Sequence, residues 1–456
     1  MINGRFPAAP FIKRLLRNPC LPLLLFTFLA ASSVLRKSAT YDEAIILASG
    51  ARYLRTGDTS VNAENPPLLK AFYALPTLFA DLDMALPSED LCFSYSMTDE
   101  FRYGNMVLYS AAKPRLLLFC CRMLAIVVGC LLGLLLYRAA CSVWPEPVPI
   151  VLLWIYSLLP NILAHTRLAT PDLGCTFSVF LVSVTLFFFL QAPKARTALL
   201  FGASLAAAQL VKFTALIILP VAIAQVILYL AFNRGRDWRR TVIGLAGALV
   251  FALLLINLQY GFREVGIQPS DAVFRSPLVR AVGRIPVVGN LPLPVPAAYV
   301  RGFDIVAYNN RPGFPNIFLG ELHRSGGSWW HYYLVAGGLK TPLVLVLLWM
   351  AGVFFAVKSW RRDRLQLCFF ALPPLVLFLN FSFIAYRQLG LRYVLPLWPF
   401  LLLAAGYAIN WCRQNWDLQR TRLFFAAGAI WLVITNLGVY PNYLTFFNRI
   451  AGGSDD

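Results

Sequence analysis

Apolar residues run in blocks along this chain, and polar residues gather between the blocks. Eleven such blocks lie near 20–35, 115–137, 148–164, 173–190, 197–211, 213–232, 241–260, 341–357, 366–385, 393–411 and 423–440. Most lack the alternation of a half-buried strand and the single apolar stripe of a surface helix. Apolar runs of roughly 17–25 residues are long enough to cross a bilayer as helices. The pattern therefore predicts an all-α polytopic membrane protein of about eleven transmembrane helices. Two stretches break the rhythm, 36–114 and 261–340. They are rich in Tyr, Trp, Pro and Gly and are not of low complexity, so they are expected to fold onto the membrane surface. The whole chain, 1–456, reads as one transmembrane domain with no soluble domain.

The short polar segments carry the topology. With the N-terminus inside, the inner loops are RAACSVWPE, QAPKAR, NRGRDWRR, KSWRRDR and RQNWDLQRTR, and four of these five hold at least two Lys or Arg. The outer connections, AHTRLATPD, VK and YRQLGLR, are poorer in cations. This is the positive-inside asymmetry. It puts both long segments, and with an odd span count the C-terminus, on the outer side. Arg5, Lys13, Arg14 and Arg17 before the first run read as the flank of a retained signal anchor.

Composition agrees: 59% of residues are hydrophobic and 13% charged. The formal net charge of +19 lies in loops between apolar runs, without a basic face interleaved with aromatics, so no nucleic-acid partner is expected. Eight of the nine cysteines lie in or beside apolar runs, and Cys92 stands alone in a loop, so neither a disulfide framework nor a CxxC zinc pattern is present.

The segment TYDEAIILASGARYLRTGDTSVNAENPPLLK, 40–70, holds the first candidate chemistry. TYDE reads as a capping box, with Thr40 at the cap and Glu43 reaching back to it. Ile46, Gly50, Tyr53 and Leu54 share a helical face and Gly57 can end the helix, so residues 41–55 are expected to form an amphipathic helix at the outer interface. Glu43 then has a structural task, worth about 1 kcal/mol or less as a cap. Asp42 has none beyond compensating the helix dipole, and is the candidate general base.

Other unusual residues share the outer face by topology: Glu64 before NPP, His165, Arg167 and Asp172 in AHTRLATPD, Lys212 in QLVKFTALIILP, Lys340 before Thr341 and Pro342, and Arg387 and Arg392 ahead of YVLPLWPF. Any one of them could be a charge snorkelling to the interface. Together they suit an anionic, lipid-linked substrate, with cations for a phosphate, a base for an acceptor and apolar helices for a lipid tail.

Over most of its length the chain resembles the polyprenyl-phosphate-dependent GT-C glycosyltransferases, the dolichyl-phosphate-mannose protein mannosyltransferases and the bacterial aminoarabinose transferase that modifies lipid A. The resemblance lies in the order and spacing of YDEAIILASG, ENPPLLKAFYALP, LPNILAHTRLATPDLGCTF, AQLVKFTALIILP, FLGELHRSGGSWWHYYLVAGGLKTPL, LGLRYVLPLWPF and YPNYLTFFNRIAGG. It implies transfer of a sugar from a polyprenyl phosphate to an acceptor hydroxyl, with inversion at the anomeric carbon. Asp42 matches the acidic residue taken as the base. Glu64 and Asp172 match acidic positions and, with Glu43, are placed on the acceptor or sugar side. Lys212 matches a lysine that contacts the donor phosphate, and Arg392, with Lys340, is placed beside it. The implied setting is a plasma or inner membrane, with a cytoplasmic N-terminus and a site on the periplasmic or external face.

The chemistry is self-consistent. A phosphate leaving group needs charge stabilisation rather than a proton, so one base and several cations suffice. The chain departs at Asn65, where the aminoarabinose transferase type has lysine and the protein mannosyltransferase type has histidine, so sugar and acceptor (lipid, glycan or protein) stay open. No cofactor is required by this reading, although outer carboxylates can gather a divalent cation. His165, His323 and His331 show no ligand spacing, and a hydrogen-bonded structural role suits His165. The competing functions are a transporter, which should carry polar groups through the midplane, and a non-catalytic lipid-binding protein of the same fold.

Overall fold

A computed structural model describes residues 18–35, 37–233, 238–270, 273–311, 315–323 and 328–453. The basic residues Arg5, Lys13, Arg14 and Arg17 lie outside the described residues. The helices in chain order are α1 (Cys20–Val34), α2 (Tyr41–Thr56), α3 (Pro67–Tyr73), α4 (Met97–Ser110), α5 (Pro114–Cys141), α6 (Val148–Ser157), α7 (Pro160–Thr166), α8 (Pro171–Gln191), α9 (Ala195–Val211) and α10 (Ile218–Phe232). They continue with α11 (Trp238–Gln259), α12 (Pro277–Gly283), α13 (Pro286–Gly289), α14 (Ala297–Asn309), α15 (Tyr332–Leu339), α16 (Leu343–Lys358), α17 (Trp360–Leu379), α18 (Trp398–Asn415) and α19 (Leu418–Val439). A two-stranded antiparallel hairpin, β1 (Asn316–Phe318) and β2 (Glu321–His323), is the one sheet among the described residues.

All eleven apolar blocks are helical, but their lengths differ. Among the described residues seven helices are long and apolar enough to cross a membrane, α10 being counted with the helical turn ahead of it as Phe213–Phe232, or eight if α6 and α7, bent by 60° at a short break, form one span. The remaining three, α1, α9 and α16, have 15, 17 and 16 residues and fall short of that length. The protein is an integral multi-pass membrane protein, and the count of about eleven spans holds only if these short helices cross as well. A short apolar helix reaches across a bilayer only where the bilayer thins or its flanks snorkel, which an apolar pattern does not register.

Two spans run through the centre. The apolar stretches of Pro171–Gln191 and Leu395–Asn415 are 78% and 83% buried, against 17% for Leu418–Val439 at the periphery. Phe180 and Phe400 meet edge to face across them, with centroids 5.2 Å apart. The ends of these two central helices that face the long loops carry Asp172 and, just ahead of the second, Arg392.

The first long loop is a folded layer. In α2 the Thr40 N–H and hydroxyl both donate to Glu43, and Gly57 ends the helix in a left-handed conformation (φ 68°) with its N–H on Tyr53 O. Every residue from Glu43 to Ala51 is buried. Helix α2 is therefore enclosed on all sides from Glu43 to Ala51, between α3, α4 and the spans, rather than lying on the interface by one face. Close packing is the reason: a Cβ at Gly104 of α4 would stand 2.5 Å from the Ile45 backbone nitrogen, so only glycine lets the two helices cross there.

Candidate functional site

Three helix ends on the loop face bring charge together. Asp42 lies in the first turn of α2 and Asp172 in the first turn of α8, where the dipole favours carboxylates; Lys212 sits at the C-terminal cap of α9, where it favours cations. Asp172 Oδ1 accepts from Lys212 Nζ at 2.6 Å. Asp42 Oδ2 pairs with Arg392 Nη1. Tyr393 offers its ring to both cations, 5.0 Å from Lys212 Nζ and 5.6 Å from the Arg392 guanidinium carbon. Burial alone would depress the Arg392 guanidinium, but the Asp172 and Asp42 carboxylates outweigh it and hold it charged.

These four side chains line one cavity of about 510 Å³, together with Glu64. The rest of the lining is largely apolar and continues into the spans through residues such as Ile217 and Phe381. Burial raises the Glu64 carboxyl above the usual range, with Asp42 adding to the effect and Arg387 and Lys212 opposing it. Of the seven residues selected from sequence, Asp42, Glu64, Asp172, Lys212 and Arg392 are thus gathered around one space.

Two are placed elsewhere. Glu43, expected on the acceptor or sugar side, does not line the cavity: it is fully buried and paired with Arg122, whose Nε donates to Oε1 at 2.8 Å and Nη2 to Oε2 at 2.7 Å. The Ala169 N–H also donates to its Oε1 at 2.9 Å. Burial opposes its ionised form, and Arg122 with the Thr40 and Ala169 N–H groups more than compensates, so the carboxyl lies below the usual range. Glu43 is a rivet between α2, α5 and the loop before α8. Lys340 does not reach the cavity either: its Nζ donates to Leu444 O at 3.1 Å and lies 4.0 Å from the centre of the Phe447 ring. It ties the mouth of α16 to the C-terminal segment, a contact that no local pattern announces.

The cavity also holds residues that the sequence reading passed over, above all Glu100 and Asn62. Glu100 sits on the buried face of α4 with Tyr103, Gly104 and Val107. An acidic residue on the apolar face of an amphipathic helix, following the Ser96 cap, was the available signal. Burial and the neighbouring Glu64 raise its carboxyl to about 8, against Asn62 and Lys70. Among the described residues no group of three or more His, Cys, Asp and Glu side chains converges as a metal-ligand set.

Residues 117–260, from α5 to the end of α11, match the family model described as dolichyl-phosphate-mannose-protein mannosyltransferase. No curated protein matches the chain in sequence. Among solved structures, apo ArnT from Cupriavidus metallidurans superposes with a TM-score of 0.55 at 17% identity, over 96% of this chain and 72% of that one. The same protein bound to undecaprenyl phosphate gives 0.55 at 15% identity, over 92% and 69%. The apo oligosaccharyltransferase of Archaeoglobus fulgidus gives 0.58 at 12% identity, over 93% of this chain and 55% of that one, so the chain spans little more than half of the archaeal protein. The chain has the GT-C fold of these proteins and resembles the GT-C glycosyltransferases of the protein mannosyltransferase and ArnT type.

Proposed function

We propose that the protein is a membrane glycosyltransferase that moves a sugar from a polyprenyl phosphate to an acceptor hydroxyl. One observation carries the reading: two carboxylate–cation pairs, Asp42–Arg392 and Asp172–Lys212, face a single cavity whose walls run on into apolar spans. Lys212 and Arg392 would bind the donor phosphate, the apolar lining would take the first prenyl units, and the sugar would lie between the phosphate and the Glu64 side. A neighbouring structure of this fold, ArnT, was solved with undecaprenyl phosphate, which favours a donor of this class.

The reaction then balances with one base. The acceptor hydroxyl attacks the anomeric carbon as its proton passes to an Asp42 carboxylate oxygen. The bond from the anomeric carbon to the phosphate oxygen breaks with its electron pair, and the polyprenyl phosphate leaves. Its new charge faces Lys212 and Arg392, which need not reorganise. A single displacement inverts the anomeric configuration. Arg392 pairs with Asp42. A donor phosphate competes for the same guanidinium, so binding of the donor frees the base when it is needed. The proposed setting is a plasma or inner membrane with the cavity on the external or periplasmic face.

The test uses purified protein in lipid, a panel of polyprenyl-phosphate sugars and a crude membrane extract as acceptor. Release of polyprenyl phosphate from one donor, lost in Asp42→Asn, supports the reading and names the sugar. No release from any donor by monodisperse protein would overturn it in favour of transport or lipid binding.

A further inference from the structure

A second cavity, of about 600 Å³, lies on the loop face between the end of α1, the end of α4 and the start of α5. It shares no lining residue with the cavity that holds Asp42. Its apolar walls are Val34 and Leu35 from α1, Leu108 from α4, and Leu118 and Phe119 from α5. Leu35 and Tyr109 at its rim are 67% and 52% exposed, so it opens to the surroundings. Its depth follows from α5, which is long and apolar enough to be a span. The cavity sits where Lys113 and Arg115 give way to the apolar run LLLF. In a bilayer that is the headgroup level, where a half-exposed tyrosine is also at home.

The cavity is positive. Lys37, Arg115 and Arg122 line it, and no carboxylate does. Arg122 is already engaged: it pairs with Glu43, and its Nη1 and Nη2 donate to the carbonyls of Lys37 and Ser38 at 2.9 and 2.8 Å. It thereby fixes the backbone that carries Lys37. Lys37 Nζ donates to a neutral partner, Asn442 Oδ1. Neither Lys37 nor Arg115 forms an ion pair with a described residue. Helix α5 begins here with no acidic residue in its first turn, so nothing local offsets the two charges. Two uncompensated cations beside apolar walls at headgroup level match a phosphate carried on a lipid. A free phosphate ion would have no use for the walls.

We propose that this cavity is a binding site for an anionic membrane phospholipid, with Lys37 and Arg115 on its phosphate and an acyl chain along Leu35, Leu118 and Phe119. The Ser38 hydroxyl, which also lines the cavity, adds a donor for the phosphate. The lipid is a bound companion rather than a substrate, and the site does not depend on the transferase reading above. A zwitterionic lipid fits less well, because its headgroup brings a cation of its own to the same two charges.

The test titrates the full chain in detergent with dioleoyl-phosphatidylglycerol and follows the thermal unfolding midpoint, which a ligand of the folded state raises. Dioleoyl-phosphatidylcholine and inorganic phosphate are titrated in parallel. Phosphatidylglycerol should protect wild type at a concentration about tenfold or more below phosphatidylcholine, and inorganic phosphate should not protect. Lys37→Gln with Arg115→Gln should raise the half-saturating phosphatidylglycerol by about twentyfold, and Arg115→Gln alone by about fivefold. Both side chains are exposed, and Arg122 uses the Lys37 carbonyl rather than its side chain, so these variants should fold. Lys37→Arg with Arg115→Lys keeps both charges and should stay within about threefold of wild type. Arg280→Gln with Arg284→Gln removes two exposed charges from α12 and should change the value by less than about threefold.

Equal losses in the two charge-removing pairs would show general attraction of anionic lipid to a basic protein and overturn the site. Equal protection by phosphatidylcholine, or no protection by phosphatidylglycerol, would overturn it as well. Protection of wild type by inorganic phosphate, lost with Lys37 and Arg115, would make it a site for a free anion and overturn the lipid. If the double glutamine variant does not fold, Arg115→Gln decides by the same criteria.

Discussion

Asp42 and Arg392 lie 350 positions apart in the chain and meet as an ion pair at the cavity. In the proposed reaction this pair joins the base and a phosphate-binding cation in one unit. Asp42→Asn should lower polyprenyl phosphate release by about 10²–10⁴-fold, the usual span for losing a general base, with the protein still folded. Arg392 would then be free of its partner, so donor binding should be unchanged or tighter, as measured by titration with undecaprenyl phosphate. A variant that releases product at the wild-type rate would remove Asp42 from the mechanism.

The Asp172–Lys212 pair separates structure from chemistry. Its side chains are 5% and 18% exposed, so removing one partner leaves a charge poorly solvated, at about 3–5 kcal/mol. Lys212→Met alone should lower both thermal stability and release. Asp172→Asn with Lys212→Met should recover most of the stability, because no buried charge is orphaned, and still fail to release product, because the phosphate has lost a cation. Recovery of activity in the double variant would place phosphate binding elsewhere.

Glu43 is expected to be a stability residue of a stronger kind than a helix cap. Because Glu43 and Arg122 are both buried and pair through two hydrogen bonds, Glu43→Gln should cost about 3–5 kcal/mol, against about 1 kcal/mol for a cap. Thermal unfolding in lipid checks this, with Asp42→Asn as the neighbour that should barely shift. A shift as small as that of Asp42→Asn would mean that Arg122 finds another partner.

Glu100 and Lys70 together shape the pH dependence of stability. Glu100 ordinarily titrates near 4.5 and is raised to about 8, so between those values the folded state binds more protons than the unfolded one and stability falls as pH rises. Glu64, raised by burial, adds to the same arm. Burial lowers Lys70 from 10.5 to about 8, so above that pH the unfolded state binds more protons and stability rises again. Wild type minus Glu100→Gln should therefore show a decline from about pH 4.5 to about pH 8, read as unfolding midpoint against pH. A flat difference curve would contradict the shift.

Metal removal is expected to leave release unchanged. In the proposed reaction Lys212 and Arg392 would supply the positive charge that the leaving phosphate needs, so this chemistry asks for no divalent ion. Dialysis against EDTA followed by the release assay checks it, and activity restored only by an added cation would revise the site.

What the sequence determined by itself was whatever depends on short stretches. Apolar runs read as helices because backbone groups in lipid must bond within their own segment, and all eleven are helical. The α2 start at TYDE and its end at Gly57 were legible because caps are local. The candidate charges were legible as a set because membrane topology collects loop residues on one face before any packing is known. Tertiary structure alone decided which of them face one cavity. Glu43 and Asp42 are adjacent in sequence, yet helical rotation turns one toward Arg122 and the other toward Arg392. Lys340 is as basic as Lys212, yet the C-terminal segment folds back to occupy it. Glu100 stayed unread because its partner Asn62 lies 38 positions earlier, in the turn between α2 and α3. Side-chain roles of this kind are set by contacts between distant segments, and those contacts follow from packing rather than from local pattern.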